Sequence, residues 1–273
     1  MNETTYSTPS EMNNHAAKAA EKKVNMSTWQ TLSLALLGGM YIGFGGLLVV
    51  LVATGTSAMP YGIVKLLMGL VFSIGLILVV VGGAELFTGS TIVALAHADK
   101  KIRCRKLIRN WGLVYLGNFV GAVLLAAIIL LSKQYLFAEG GIGMSMLKIA
   151  SGKLHHDFFP ALFLGILCNI FVCLGIWLSF ASKSAGDKIL AIIFPITAFV
   201  ALGFEHSVAN MYLLFSAWFI KIFNPAFAAL YENASSITLG NIIFKNLIPV
   251  TIGNILGGVF IWTIYRFAYK NNS

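Results

Sequence analysis

An acid, an imidazole and an amide stand close together inside a long apolar stretch: Glu205, His206 and Asn210, within the segment LGFEHSVAN. A neighbouring carboxylate and imidazole can serve as general base and acid. Catalysis needs further groups, and none adjoins this pair: there is no nucleophile, metal-ligand set or cofactor motif, and the nearby hydroxyls belong to ordinary serines and threonines. Cys104, Cys168 and Cys173 form no disulfide framework and read as small hydrophobes. The residues therefore predict no enzyme, no metal and no cofactor. What remains is recognition of a small polar solute at a depth where ionisable groups mark functional sites by default.

The elements that hold this set are set by composition. The chain has 273 residues, of which 58% are hydrophobic and only 11% charged, and its mean hydropathy is +0.83. Soluble domains carry about 25% charged residues. Apolar runs of roughly 20 residues, enough to cross about 30 Å of hydrocarbon, recur along the chain. They are continuous rather than alternating, so the class is an all-α integral membrane protein and not a β-barrel. Residues 1–28 are polar and lack the apolar core of a signal peptide. Within them, His15–Val24 is rich in Ala, Lys and Glu and suits a short helix on the membrane surface. Residues 29–270 make the transmembrane domain.

Hydropathy places six spans at about 30–54, 62–97, 110–132, 158–182, 188–222 and 241–268. The net charge of +9 is not spread as nucleic-acid binding would need. Lys100, Lys101, Arg103, Arg105, Lys106 and Arg109 crowd one connection, and alternate loops hold most of the remaining basic residues, Lys270 included. By the positive-inside rule these loops and both termini face the cytoplasm.

Two spans are too long. Residues 62–97 and 188–222 each run to roughly 35 residues, about 50 Å as helix, and each is interrupted near its middle, by GGAELFTGST in one and LGFEHSVAN in the other. Both interruptions hold Gly-Xaa-Glu, with Glu85 and Glu205 120 positions apart. The third span holds GNFVG and the sixth GNILG, placing Asn118 and Asn254 136 positions apart. Two halves of three spans each must run in opposite senses, giving an inverted 3+3 repeat. Broken helices at matching places point to a transport site at the repeat interface. Half-helices starting near Thr88 and Ser207 would turn positive dipole ends inward, which favours an anion.

The blocks GAELFTGS, GFEHSVANM, NWGLVYLGNFVGA and KLHHDFFPALFLGILCNIFVCLGIW resemble the formate/nitrite transporter family, and its formate channels most, over nearly all of residues 30–268. The resemblance implies an aquaporin-like protomer with broken second and fifth helices. It also implies a homopentamer in the lipid bilayer of the plasma or inner membrane, with one pore per protomer, passing a small monovalent anion such as formate, nitrite or hydrosulfide. It places His206 at the pore centre with Thr88 facing it, constrictions at Phe72, Leu76, Phe87 and Phe199, a flanking cation at Lys153, and polar support at Asn169 and Asn210. Phe87 agrees with the formate-channel members.

A bare carboxylate would repel an anion, so Glu205 and its counterpart Glu85 are expected to hold the helix breaks. Lys153 is expected to raise the local anion concentration, while His155 and His156 read as exposed loop residues. An anion meeting two apolar rings would shed water at a cost of several kcal/mol, and transient protonation or hydrogen bonding at His206 would lower it. Other substrates on the same scaffold, lactate and acetate among them, stay open. A neutral-solute channel of aquaporin type is disfavoured, because the single Asn224-Pro225-Ala226 lies outside the repeated break.

Overall fold

Thr8 and Glu11 build a capping box ahead of Pro9: the Glu11 amide donates to Thr8 Oγ1, and Glu11 Oε2 accepts from the Thr8 amide at 2.7 Å. The hydrogen bond from the Thr8 backbone, seconded by its hydroxyl, holds the Glu11 carboxyl below its ordinary range. Here starts α1, Pro9–Asn25, in the computed structural model, which describes residues 6–269. Lys270 lies outside the described residues. Met12, Ala16, Ala20 and Val24 fall on one face of α1 and pack with Val93, Leu107, Trp177 and Trp262. The helix is thus longer than His15–Val24 and lies on the protein itself, because its apolar stripe finds partners there. Asn13 Nδ2 reaches the Tyr269 carbonyl and the Ser7 amide reaches that of Ala181, so the two described ends of the chain meet.

The remaining helices are α2 (Thr28–Ala53), α3 (Tyr61–Gly82), α4 (Phe87–Ser90), α5 (Val93–Ala98), α6 (Cys104–Leu131), α7 (Gly141–Lys153), α8 (Phe158–Ala181), α9 (Ala185–Ala201), α10 (Ser207–Phe223), α11 (Pro225–Ala228) and α12 (Leu239–Tyr269). No strand occurs among the described residues. Five helices (α2, α3, α6, α8 and α12) are long and apolar enough to cross a membrane. Both over-long spans are split: α3 gives way to α4 and α5, and α9 gives way to α10. At 17 residues each, α9 and α10 are short for a crossing on their own. Arg105, Lys106 and Arg109 lie on the first turns of α6 rather than in a loop, because that helix runs on past its apolar part. Asn224 accepts from the Phe227 amide and caps α11, a local turn.

Each break is turned by a glycine in the left-handed region, Gly83 at φ 83° and Gly203 at φ 75°. Around the breaks, α6 packs on α2 and α12 on α8. The Gly-x-x-x-Gly pairs set both contacts: a Cβ at Gly121 would overlap the Leu36 carbonyl, and one at Gly257 would overlap that of Ile166. Gly121→Ala and Gly257→Ala are each expected to cost about 1–3 kcal/mol, read as a lower thermal midpoint of the purified protein in detergent. Gly112→Ala, on α6 with nothing near its missing Cβ, is expected to leave the midpoint unchanged or slightly raised.

Candidate functional site

Stopping a helix inside an apolar protein strands backbone groups, and each left unpaired costs roughly 1–3 kcal/mol. Two fully buried asparagines close both breaks in the same way. Asn118 Nδ2 donates to the carbonyls of Ala35 (2.7 Å) and Glu85 (2.9 Å), while its Oδ1 accepts from the Phe87 amide at 2.8 Å. Asn254 Nδ2 donates to Gly165 (2.8 Å) and Glu205 (3.0 Å), while its Oδ1 accepts from the Ser207 amide at 2.9 Å. The amides of Glu85 and Glu205 donate in turn to Leu34 and Leu164. An asparagine carries donor and acceptor on one planar group, which is what an interrupted backbone lacks.

The two glutamates are tied down by matching lysines. Lys23 Nζ lies 2.8 Å from Glu85 Oε2, and Lys153 Nζ lies 2.8 Å from Glu205 Oε1. Ser90 Oγ donates to Glu85 at 3.3 Å; Asn210 Nδ2 donates to Glu205 at 2.6 Å, joined by Asn246 Nδ2 at 3.2 Å. Asn110 and Asn246 each also hold the carbonyl of the lysine in their own half, both at 3.2 Å. Lys23 sits on α1 and Lys153 on α7, so each half adds a peripheral helix that delivers a lysine to a break. The sequence reading missed Lys23, Asn110 and Asn246. It also treated the GNxxG asparagines only as landmarks, although their fixed place beside the packing glycines was a usable signal.

The halves differ at the residue before the short helix. Leu86 precedes α4 and His206 precedes α10. His206 Nδ1 accepts from the Ala209 amide at 3.1 Å, so the ring itself is the N-cap of α10. An Nδ1 that accepts bears no proton, which leaves the proton on Nε2. Nε2 lies 3.0 Å from Thr88 Oγ1, and with Nε2–H as donor the hydroxyl hydrogen of Thr88 is left to serve another acceptor. Phe72 and Phe199 meet edge to face at 5.7 Å and flank the imidazole at 6.5 Å and 6.1 Å.

Two cavities approach this centre from opposite ends of α2 and α3. One, of about 430 Å³, reaches Phe72, Phe199, Glu205, His206 and Asn210 and is bordered by Lys153 and His156. His156, expected as a plain loop residue, thus borders this cavity. The other, of about 280 Å³, is lined by Lys22, Lys23, Val79, Glu85 and Leu86. Leu76 is fully buried on the α3 face that runs from Phe72 to Val79, between the two. Phe87 lines neither cavity; its ring stands edge-on to Tyr115 at 4.9 Å. Asn169 lies behind Thr88, donating to the carbonyls of Thr88 (3.2 Å) and Asn254 (2.6 Å). Asn210 faces the larger cavity with an Oδ1 that has no partner. The dipole ends are unequal: α10 has 17 residues, whereas α4 is one turn.

Lys153→Met would leave Glu205, whose side chain is 3% exposed, as a buried charge without its cation. A loss of about 3–5 kcal/mol is expected, measured by thermal unfolding in detergent, and the Lys153→Met/Glu205→Gln double variant is expected to recover most of it.

Comparison with known proteins agrees with this geometry. The family model described as formate/nitrite transporter matches residues 10–268. The chain is 41% identical to the formate channel FocA of Escherichia coli strain K12, covering 94% of each chain. It is 40% identical to the formate channel FocA of Haemophilus influenzae, covering 97% of this chain and 95% of that one. A solved pentameric formate channel with formate bound superposes with a TM-score of 0.84 at 42% identity, covering 89% of this chain and 98% of the other. The chain belongs to the formate/nitrite transporter family.

Proposed function

We propose that this protein is a membrane channel for small monovalent anions, with formate as its substrate, and that it catalyses no reaction. The carrying observation is the His206 Nε2–Thr88 Oγ1 pair at 3.0 Å, set beside an aromatic collar between two lysine-bordered cavities. The Thr88 hydroxyl is free to donate, and Nε2–H becomes a second donor once it leaves Thr88, which suits an anion small enough to touch both; the names of the relatives point the same way. Phe72 and Phe199 form one constriction, and Leu76 with Leu86 forms the other, Phe87 supporting it through Tyr115. Asn169 and Asn210 supply polar surroundings, Glu85 and Glu205 keep the breaks closed, and Lys153 fixes Glu205 while bordering the vestibule.

The working unit in this reading is a homopentamer in the cell inner membrane, as the solved relative is pentameric. The repeat is inverted, and both termini face the cytoplasm, since the basic run from Lys100 to Arg109 gathers at the α1 end, where Lys101 pairs with Glu21 and Arg109 bonds Thr28. The helix α1 then covers the cytoplasmic mouth, with Lys22 and Lys23 lining the cavity there. An anion in the collar gives up water at a cost of several kcal/mol. The Nε2 proton and the Thr88 hydroxyl replace part of that shell, and a proton passed from Nε2 to the anion requires Nδ1 to exchange its cap bond for a proton.

Formate flux into proteoliposomes, corrected for empty vesicles, is expected to rise as external pH falls. His206→Ala is expected to remove that dependence, and Thr88→Val to lower flux at every pH. A wild-type flux that ignores pH contradicts the proton transfer. Nitrite, hydrosulfide and lactate compared at two pH values test the substrate, and a faster flux for any of them contradicts formate.

A further inference from the structure

The two lysines closest to the helix breaks are not free charges. Lys153 and Lys23 each sit 2.8 Å from a carboxylate. From the mouth of a vestibule such a pair acts as a dipole, whose field falls off faster than that of a lone cation. Yet the larger cavity has two other lysines on its wall, Lys65 from α3 and Lys148 from α7. Neither forms an ion pair among the described residues. Lys65 Nζ lies 5.4 Å from the centre of the Tyr61 ring, a contact that orients the ammonium without neutralising it. Lys148 is exposed. Glu205 is the sole acid among the described residues lining this cavity, and it is spent on Lys153.

The charge that an approaching anion meets at this mouth therefore comes from elsewhere than the position next to the centre. We propose that Lys65 and Lys148 recruit the anion at the vestibule on the Lys153 side, and that Lys153 serves chiefly to hold Glu205. This rests on the channel reading above. Two unpaired cations on the walls of one apolar-sided cleft focus their field into it and raise the local anion concentration. Because both lie near water, the effect is short-ranged and weakens with ionic strength, over a screening length of about 10 Å at 0.1 M salt. Recruitment acts on how much anion is needed for half-maximal flux and leaves the passage through the Phe72–Phe199 collar alone.

The test is formate flux into proteoliposomes against formate concentration, at low and at high ionic strength. Four forms are compared: wild type, Lys65→Gln/Lys148→Gln, the charge-keeping Lys65→Arg/Lys148→Arg, and Lys148→Glu. At low salt the double Gln variant is expected to need about threefold more formate or more for half-maximal flux. Its maximal flux should stay near wild type and its dependence on salt should flatten; the Arg variant should match wild type, and Lys148→Glu should need more formate than wild type for half-maximal flux. Unchanged half-saturation and an unchanged salt slope in the double Gln variant, beside a wild type that does pass formate, overturn the recruitment by Lys65 and Lys148 alone. A wild type that passes no anion overturns the channel reading and this inference with it.

Discussion

A membrane helix that stops halfway leaves N–H and C=O groups with neither a next turn nor water to bond. Everything at the centre of this protein depends on how that debt of hydrogen bonds is met. Asn118 and Asn254 each bridge a broken end to a neighbouring helix, with three bonds apiece of 2.7–3.0 Å. With the breaks closed, the backbone can turn at Gly83 and Gly203 and begin a new helix at Phe87 and at Ser207. The close packing of α6 on α2 and of α12 on α8 follows from the same requirement, since an asparagine side chain reaches the broken strand only if the helix that bears it lies near.

On this repeated frame the chemistry is deliberately unequal. The same register position holds leucine before α4 and histidine before α10. One half thus places a buried leucine at a cavity wall and the other a ring that caps a 17-residue helix through one nitrogen and faces Thr88 through the other. The charged groups follow a similar division. The lysines deep in the protein are consumed in keeping Glu85 and Glu205 in place, a structural duty, because an uncompensated carboxylate there would cost several kcal/mol. Free positive charge is left to the shallower lysines. In the proposed channel, stability and solute attraction fall to different residues of one type.

Much of this was legible in the sequence. The apolar runs gave the all-helical membrane class, and the two polar interruptions located both breaks to within a few residues. Glu205, His206 and Asn210 stood out because ionisable and strongly polar groups are rare at such depth. The rest was hidden for physical reasons. Lys23 lies in a polar segment where a lysine carries no signal, and only the docking of α1 brings it to Glu85. Hydropathy could not reveal that docking, because its four buried apolar residues are small or modestly apolar and their partners come from α5, α6, α8 and α12. Asn246 sits on a π-helical widening of α12, which no residue pattern announced. Phe87 was placed by resemblance at a constriction, yet its ring turns toward Tyr115 while the preceding Leu86 faces the cavity.

The central claim is that the break itself orients His206, fixing Nδ1 on the α10 backbone and presenting Nε2–H to the pathway. Nitrogen NMR of the protein in lipid, with 15N-labelled histidine and His206→Gln to assign the signal, measures this directly. The expected spectrum shows His206 with a bare Nδ1 and a protonated Nε2. A proton on Nδ1 with a bare Nε2 would contradict it.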